Sequence, residues 1–174
     1  MFEICCKKLS IITQIYKIPT YVLIYDQLLI DIAKKYPNVK IIIRDKKTCE
    51  VDGPLTFIFK DIQIIPEKYL MFLNPCLTLL SIDTIINNIK QFLNSDYEYG
   101  TSVKELKNWI FYKNNSITPI DYKRLTTKEI QNVYQCAHCF HIFNKKQFFK
   151  DGYMLKENHA LLHIPEHETM DIDT

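Results

Sequence analysis

The stretch YQCAHCFHIFNKKQFFKDGYMLKENHALLHIPEHETMDIDT, residues 134–174, decides the fold prediction for this chain. It contains all five histidines of the sequence and two of its six cysteines. Histidine and cysteine side chains are the usual protein ligands of zinc and related transition metals. Their concentration in one segment predicts a metal site in that segment.

Two pairs of candidate ligands have metal-binding spacings. Cys136 and Cys139 form a C-x2-C pair, and two thiolates at this spacing on a tight turn can reach one ion. After nineteen intervening residues, His159 and His163 form an H-x3-H pair. We expect a helix over KENHALLH, because positions i and i+4 of a helix face the same way. These four side chains predict a closed tetrahedral site, and their mixed ligands make Zn²⁺ the expected cofactor.

Other ligand sets are open at this stage. His138, His141 and His167 could each replace one of the four predicted ligands. His141 lies two residues after Cys139, close enough along the chain for its imidazole to turn toward the same ion. The remaining alternative is that no metal binds and that these are ordinary side chains near a terminus.

Residues 134–167 resemble the C2H2 zinc-finger family. Tyr134 stands two residues before the first cysteine and Phe143 four residues after the second, as the family's core aromatics do. The nineteen residues between Cys139 and His159 exceed the family's usual spacing. The resemblance implies a small ββα-like zinc module with a structural metal.

Lysine and aromatic side chains around this module are candidates for binding nucleic acid or a protein partner. Lysine can neutralise phosphates and an exposed aromatic ring can stack on bases. The candidates are Lys145, Lys146, Phe149, Lys150 and Lys156. The alternative is that the aromatic rings form the core of the module and that the lysines solvate its surface.

Residues 1–130 read as an α+β body. Apolar side chains recur at helical spacing over residues 20–35 and over IDTIINNIKQFL, where Ser81 is the expected N-cap. VKIIIRD, TCEVDG, LTFIFKD and IQII read as strands. Capping-box patterns predict one helix over VKELKNWIFY, after Ser102, and a short one from Thr126 to about residue 134. The predicted division is an α+β body (1–130), a zinc module (131–167) and an acidic tail (168–174).

Composition limits the classes of function. The chain has 174 residues, 47% of them hydrophobic and 24% charged, with a net charge of +2. These values exclude a disordered chain and a polycationic binder. Three glycines leave almost no material for glycine-rich phosphate loops, and we find no catalytic motif. The abundance of isoleucine and lysine suggests an AT-rich genome, such as that of a large DNA virus.

These observations predict a non-enzymatic zinc-finger factor that acts in gene expression within a larger assembly. The first alternative is a protein–protein adaptor or structural subunit whose zinc is purely structural. The second is a zinc-containing nuclease that uses His138 or His141. With no signal peptide and no apolar run of membrane-spanning length, we expect the nucleus or cytoplasm, a protein partner and no contact with membranes.

Overall fold

The computed structural model describes residues 1–50, 52–120, 123, 126–128, 130 and 133–171. Helices and strands are mixed along the chain, which confirms the α+β class. The elements are α1 (Phe2–Tyr16), β1 (Tyr21–Ile24), α2 (Gln27–Ala33), β2 (Lys40–Ile43), α3 (Lys47–Glu50), α4 (Leu55–Ile58), a 3-10 helix (Lys60–Ile64), β3 (Tyr69–Leu73), α5 (Ile82–Leu93), β4 (Tyr99–Glu105), β5 (Phe111–Tyr112), β6 (Asn115–Ser116), β7 (Tyr134–Asn144), α6 (Lys145–Asp151), β8 (Ala160–His163) and a second 3-10 helix (Glu166–Glu168).

Two sheets carry the fold. β1 and β2 pair in parallel, and the larger sheet has the strand order β3-β7-β4-β8. β7 is antiparallel to both of its neighbours, whereas β4 and β8 are parallel. The strands β3, β4 and β8 therefore run in one direction, and their carboxyl ends lie at one edge of the sheet.

The larger sheet crosses the boundary that the sequence placed at residue 130. β7 and β8 come from the predicted zinc module, but β7 pairs with β3 and β4, and β8 pairs with β4. Within residues 134–163 the order of elements is strand, helix, strand. The segment is therefore built into the sheet of the N-terminal part of the chain.

The apolar core consists of three clusters. The first joins α5 to one face of the larger sheet, and Phe92, Phe140 and Leu162 are buried in it. The second surrounds Phe143 and Phe148, where α6 covers part of the opposite face. The third packs α1 and α2 against β1 and β2. The described residues contain no helix both long and apolar enough to cross a lipid bilayer.

Helix α5 and strand β2 confirm two sequence-based predictions. The Ser81 hydroxyl accepts a hydrogen bond from the Thr84 amide at 3.1 Å, which caps α5 as expected. Ile85 and Ile86 are buried on the predicted apolar stripe. β2 forms within the β-branched run that predicts it.

Several N-terminal predictions are wrong. Residues 20–35 form a strand and a short helix instead of one helix, because the Asp26 carboxylate accepts hydrogen bonds from the Leu28 and Leu29 amides and starts α2 there. TCEVDG, predicted as a strand, begins inside α3, and its Val51 lies outside the described residues. LTFIFKD, also predicted as a strand, contains α4. IQII lies largely in a 3-10 helix. Short apolar runs do not distinguish helix from strand, which explains these errors.

Two C-terminal helices were also wrongly predicted. The capping-box pattern at Ser102 lies inside β4, whose residues 99–103 are all buried. The helix predicted over KENHALLH is replaced by strand β8. His159 precedes this strand and His163 is its last residue, and residues 160–163 pair with residues 100–103 of β4. In both places pairing with distant strands overrides local propensity. The short helix predicted from Thr126 is not seen either, since positions 126–128, 130 and 133 are not helical and residue 134 begins β7. Positions 129, 131 and 132 of that prediction, and residues 172–174 of the predicted tail, lie outside the described residues.

Candidate metal centre

A β-bulge in β7 determines which side chains share one face of the larger sheet. Thr101 of β4 pairs with His141 of β7, and Val103 pairs with Cys136. Only one residue separates the two β4 positions, whereas four separate their partners. Since Thr101 and Val103 lie on the same face of β4, their partners Cys136 and His141 also lie on one face.

The bulge is held by the hydroxyl of Ser102, which is completely buried. Its oxygen accepts hydrogen bonds from the amides of Cys139 at 2.9 Å and Phe140 at 3.1 Å. On the other side of β7, the Asn74 amide donates to the Cys139 carbonyl oxygen at 2.9 Å. His138 has φ of 51°, in the left-handed region that a non-glycine residue seldom adopts. The extra residues of β7 are thus accommodated without unpaired amides at Cys139 and Phe140.

Cys136, His138 and His141 form a cluster that could hold a metal ion. One potential ligand atom from each residue lies within 4.8 Å of those of the other two. The Cys136 Sγ and His138 Nδ1 atoms are 3.6 Å apart. The Thr101 hydroxyl lies 3.5 Å from Cys136 Sγ and 3.0 Å from His141 Nδ1. Because the Thr101 contact fixes one ring nitrogen of His141, it orients the imidazole within the cluster.

Burial affects the ionisation of the cluster. Desolvation lowers the pKa of His141, and the neighbouring His138 and His159 lower it further. A lowered pKa favours the neutral imidazole, which is the form that binds a metal. His138 is exposed and Cys136 is half-buried, so the cluster lies at the protein surface.

The structure brings one of the four predicted metal ligands into this cluster. Cys139 is completely buried in the core under α5, where burial raises the pKa of its thiol to about 11. His159 lies near His141, and its Nδ1 atom is 2.7 Å from the Lys156 carbonyl oxygen. The ring of His163 contacts that of Tyr134 edge-on, with centroids 4.9 Å apart. Cys136 and Cys139 diverge because they lie on a strand and not on a tight turn.

The predicted nucleic-acid or partner-binding residues lie in and after α6. Lys145 donates a hydrogen bond to the Ile65 carbonyl, and Lys146 and Lys150 are exposed. The Phe149 ring packs edge-on against Phe148, with centroids 5.0 Å apart. Lys156 forms an ion pair with Asp151 at 3.1 Å. Binding by these five residues stays a prediction, as does the resemblance of residues 134–167 to a zinc finger.

Asp151, the last residue of α6, connects this helix to strand β4 through a hydrogen bond with Tyr99. The Tyr99 hydroxyl donates to the Asp151 carboxylate at 2.7 Å; this bond and the Lys156 ammonium lower the pKa of Asp151. A lowered native pKa stabilises the fold above the unfolded pKa of about 4 and loses that effect as pH falls. We expect Tyr99→Phe to lower Tm by roughly 2–4 °C at pH 7.

The difference in Tm between Tyr99→Phe and wild type should shrink as the pH is lowered below about 4. Thermal melts monitored by circular dichroism between pH 3 and pH 7 test this expectation. Tyr153→Phe is the control, because Tyr153 is exposed. A pH-independent difference would contradict the assignment of the effect to Asp151.

Sequence reasoning found part of the cluster. Residue type and spacing along the chain predicted Cys136 as a ligand and His138 and His141 as alternative ligands. Sequence reasoning missed Thr101, which is separated from His141 by forty positions of sequence and reaches it only through strand pairing. No local pattern marks such a residue.

Similar solved structures are enzymes of one kind. The 4-diphosphocytidyl-2C-methyl-D-erythritol synthase of Anaerococcus prevotii DSM 20548 matches with a TM-score of 0.65 and 14% identity, over 99% of this chain and 80% of that one. Another 4-diphosphocytidyl-2C-methyl-D-erythritol synthase matches with a TM-score of 0.58 and 9% identity, over 96% and 84%. The bifunctional IspDF of Campylobacter jejuni matches with a TM-score of 0.56 and 10% identity, over 96% and 43%. No protein-family model and no curated protein matches the sequence.

These similarities correct the functional prediction made from the sequence. A zinc-finger factor in gene expression, an adaptor with a structural zinc and a viral transcription regulator are all wrong, because nearly the whole chain has a fold found in metabolic enzymes. The prediction that the chain is not an enzyme is wrong for the same reason. At these low identities the similarity shows the fold alone, which this chain shares with the 4-diphosphocytidyl-2C-methyl-D-erythritol synthases.

Proposed function

We propose that this chain is a metal-dependent enzyme that acts on a nucleotide at the Cys136–His138–His141 cluster. The observation that carries the proposal is the position of the cluster in the fold. Cys136 of β7 pairs with Val103, in the carboxyl half of β4. On the other side of β7, strand β3 ends at Leu73. In sheets with parallel strands, ligands bind beyond the carboxyl ends of those strands.

Zn²⁺ is the metal we propose for the cluster. One thiolate and two imidazoles are ligands that zinc favours. Three protein ligands leave one coordination position open, as in catalytic zinc sites, whereas a structural site uses four. A bound zinc ion would polarise a phosphoryl oxygen or a water molecule at that position. The chain itself supplies the ligands and, through Thr101, the orientation of His141.

The substrate class follows from the fold and from the lack of a phosphate loop. The similar solved structures are named for making a compound that carries a diphosphocytidyl group. In this chain Tyr25 and Asp26 alone connect β1 to α2, and neither is glycine. We therefore expect phosphate groups to be bound through the metal rather than by a glycine-rich loop. A cytidine nucleotide with its phosphates near the cluster is the first substrate to test.

Zinc content tests the metal site. We expect one zinc per wild-type chain by elemental analysis and loss of it in Cys136→Ser and His141→Ala. Thr101→Val should retain the ligands but weaken zinc binding by about 10- to 100-fold, because it removes the hydrogen-bond partner of His141. His167→Ala is the matched control, since the His167 side chain is 80% exposed and contacts Glu168 instead of the cluster.

One double variant separates this ligand set from the one predicted by spacing. The double variant His159→Ala/His163→Ala should keep its zinc if Cys136, His138 and His141 are the ligands. Loss of zinc in that variant would favour the spacing-based set. Zinc that survives in Cys136→Ser would exclude both ligand sets.

Nucleotide binding tests the substrate class. Isothermal titration calorimetry should show CTP binding to the zinc-loaded wild type at least tenfold more tightly than to Cys136→Ser. Cytidine, which carries no phosphate, should bind weakly to both proteins. Equal CTP affinity with and without zinc would contradict the proposed function while leaving the metal site itself intact.

A further inference from the structure

A largely apolar cavity of about 570 Å³ lies between the two sheets. Strands β1 and β3 both line it, and in the described part of the chain they belong to separate sheets. Side chains from all three core clusters reach its walls. The cavity therefore lies where the hydrophobic cores of the molecule meet.

The cavity has the size and the lining of a ligand site. Ligand sites in proteins usually have volumes of about 300–1,000 Å³ and mainly apolar walls. Here α1 contributes Leu9 and Ile12, α5 contributes Ile89 and Phe92, and β7 contributes Ile142. Protein interiors are otherwise close-packed, and atoms that line a void lose dispersion contacts. An apolar occupant would restore those contacts.

Two charged side chains line the cavity at opposite ends of β1. Glu67 accepts a hydrogen bond from the Tyr21 hydroxyl at 3.1 Å, and Tyr21 is the first residue of β1. Arg44 lies at the other end, where its amide donates to the carbonyl oxygen of Ile24, the last residue of β1. The cavity is thus acidic at one end and basic at the other.

Arg44 has hydrogen-bonding capacity that its neighbours do not use. Its Nη2 atom donates to the carbonyl oxygens of Thr48 at 2.6 Å and Ile58 at 2.8 Å. Its buried Nε atom has no hydrogen-bond partner among the described residues. The Arg44 guanidinium also lies over the Phe59 ring, 5.7 Å from its centroid, in a cation–π contact. Because both Nη2 protons are donated to these carbonyl oxygens, a carboxylate would accept a charge-assisted hydrogen bond from one of the other guanidinium N–H groups.

We propose that this cavity binds a long-chain fatty acid, with its hydrocarbon tail between the sheets and its carboxylate at Arg44. The apolar walls match the tail. Repulsion from Glu67 disfavours the reverse orientation, in which the carboxylate would lie beside Tyr21. This site does not include the metal cluster, so the proposal stands apart from the proposed function.

Binding of palmitate to the full chain tests the proposal. A fluorescent polyene fatty acid should bind saturably, one per chain, and palmitate should displace it. Affinity should rise roughly threefold to fourfold per added methylene between the C8 and C16 acids, as expected for burial of the tail. Methyl palmitate should bind at least tenfold more weakly than palmitate, because the ester cannot form the charge-assisted hydrogen bond.

A variant that fills the cavity locates the binding site. Ile89→Trp places a larger side chain in the cavity wall and should abolish binding, while Ile15→Trp, at a position of α1 that is 64% exposed, should not change it. If Ile89→Trp fails to fold, the chain-length and ester comparisons on wild type decide the proposal. Absence of saturable binding, equal binding to a folded Ile89→Trp, or equal affinity for the acid and its ester would overturn it.

Discussion

Replacing Ser102 with alanine should lower the free energy of unfolding by about 2–4 kcal/mol, because two buried amides would lose their acceptor. The Ser102 hydroxyl oxygen accepts from both Cys139 and Phe140, and the side chain is completely buried. Alanine is smaller than serine, so the substitution introduces no overpacking. The loss should therefore report on the hydrogen bonds of the bulge.

The same substitution should also weaken the metal centre, although Ser102 is not a candidate ligand. The bulge places Cys136 and His141 on one face of the sheet. If β7 relaxes toward regular pairing, alternation would move one of the two to the opposite face. We expect zinc affinity to fall in Ser102→Ala even under conditions where the protein remains folded.

Urea denaturation and a zinc-chelator competition measure the two effects separately. Ser95→Ala is the matched control, because its hydroxyl lies after the end of α5, donates to the Phe92 carbonyl at 2.7 Å and accepts only a long, exposed hydrogen bond from the Tyr97 amide at 3.5 Å. That control should lose at most about 1 kcal/mol and keep its zinc affinity. A Ser102→Ala protein as stable as Ser95→Ala would show that the bulge does not depend on this hydroxyl.

Features of the fold that depend on neighbouring residues were predictable from the sequence. Ser81 caps helix α5, and Ile85 and Ile86 are buried as expected, because cap and apolar stripe lie within one short segment. β2 followed from its run of isoleucines. In both elements local propensity and burial in the final structure favour the same conformation.

Features that depend on pairing between distant strands were not predictable. Residues 160–163 contain good helix formers, yet they extend alongside β4 because Ala160 and Leu162 fill the core next to Gly100. The pattern at Ser102 and Glu105 imitates a helix cap, whereas the Ser102 hydroxyl in fact binds amides of β7. A short sequence window contains no information about such partners.

The candidate metal site was also only partly predictable, because its ligands are brought together by strand pairing. Cysteine and histidine content predicted a metal-binding segment, and His138 and His141 were recognised as alternatives. The ligand set then depends on one irregularity, the left-handed conformation of His138 and the bulge around it. Spacing rules assume that ligands lie on tight turns or helices, and in this chain the ligands lie on a bulged strand.

Replacing Glu168 with alanine should lower the free energy of unfolding by about 2–3 kcal/mol, the second large effect that we expect. The Glu168 carboxylate accepts from the Ser81 amide at 2.8 Å and from the Thr84 hydroxyl at 3.0 Å, at the N-terminus of α5. Its side chain is only 9% exposed. A carboxylate at this position also interacts favourably with the positive end of the helix dipole.

Two companion variants separate charge, hydrogen bonding and chain position. Glu168→Gln retains one oxygen acceptor without the charge, so it should lose less stability than Glu168→Ala. Glu166→Ala changes an exposed residue of the same 3-10 turn and should be nearly neutral. Urea denaturation measures the free energy of unfolding of each of the three variants relative to wild type, provided that the denaturant dependence (m-value) is the same in all of them. If Glu168→Ala proved as stable as Glu166→Ala, the C-terminal segment would not contribute to capping α5, and α5 would depend on Ser81 alone.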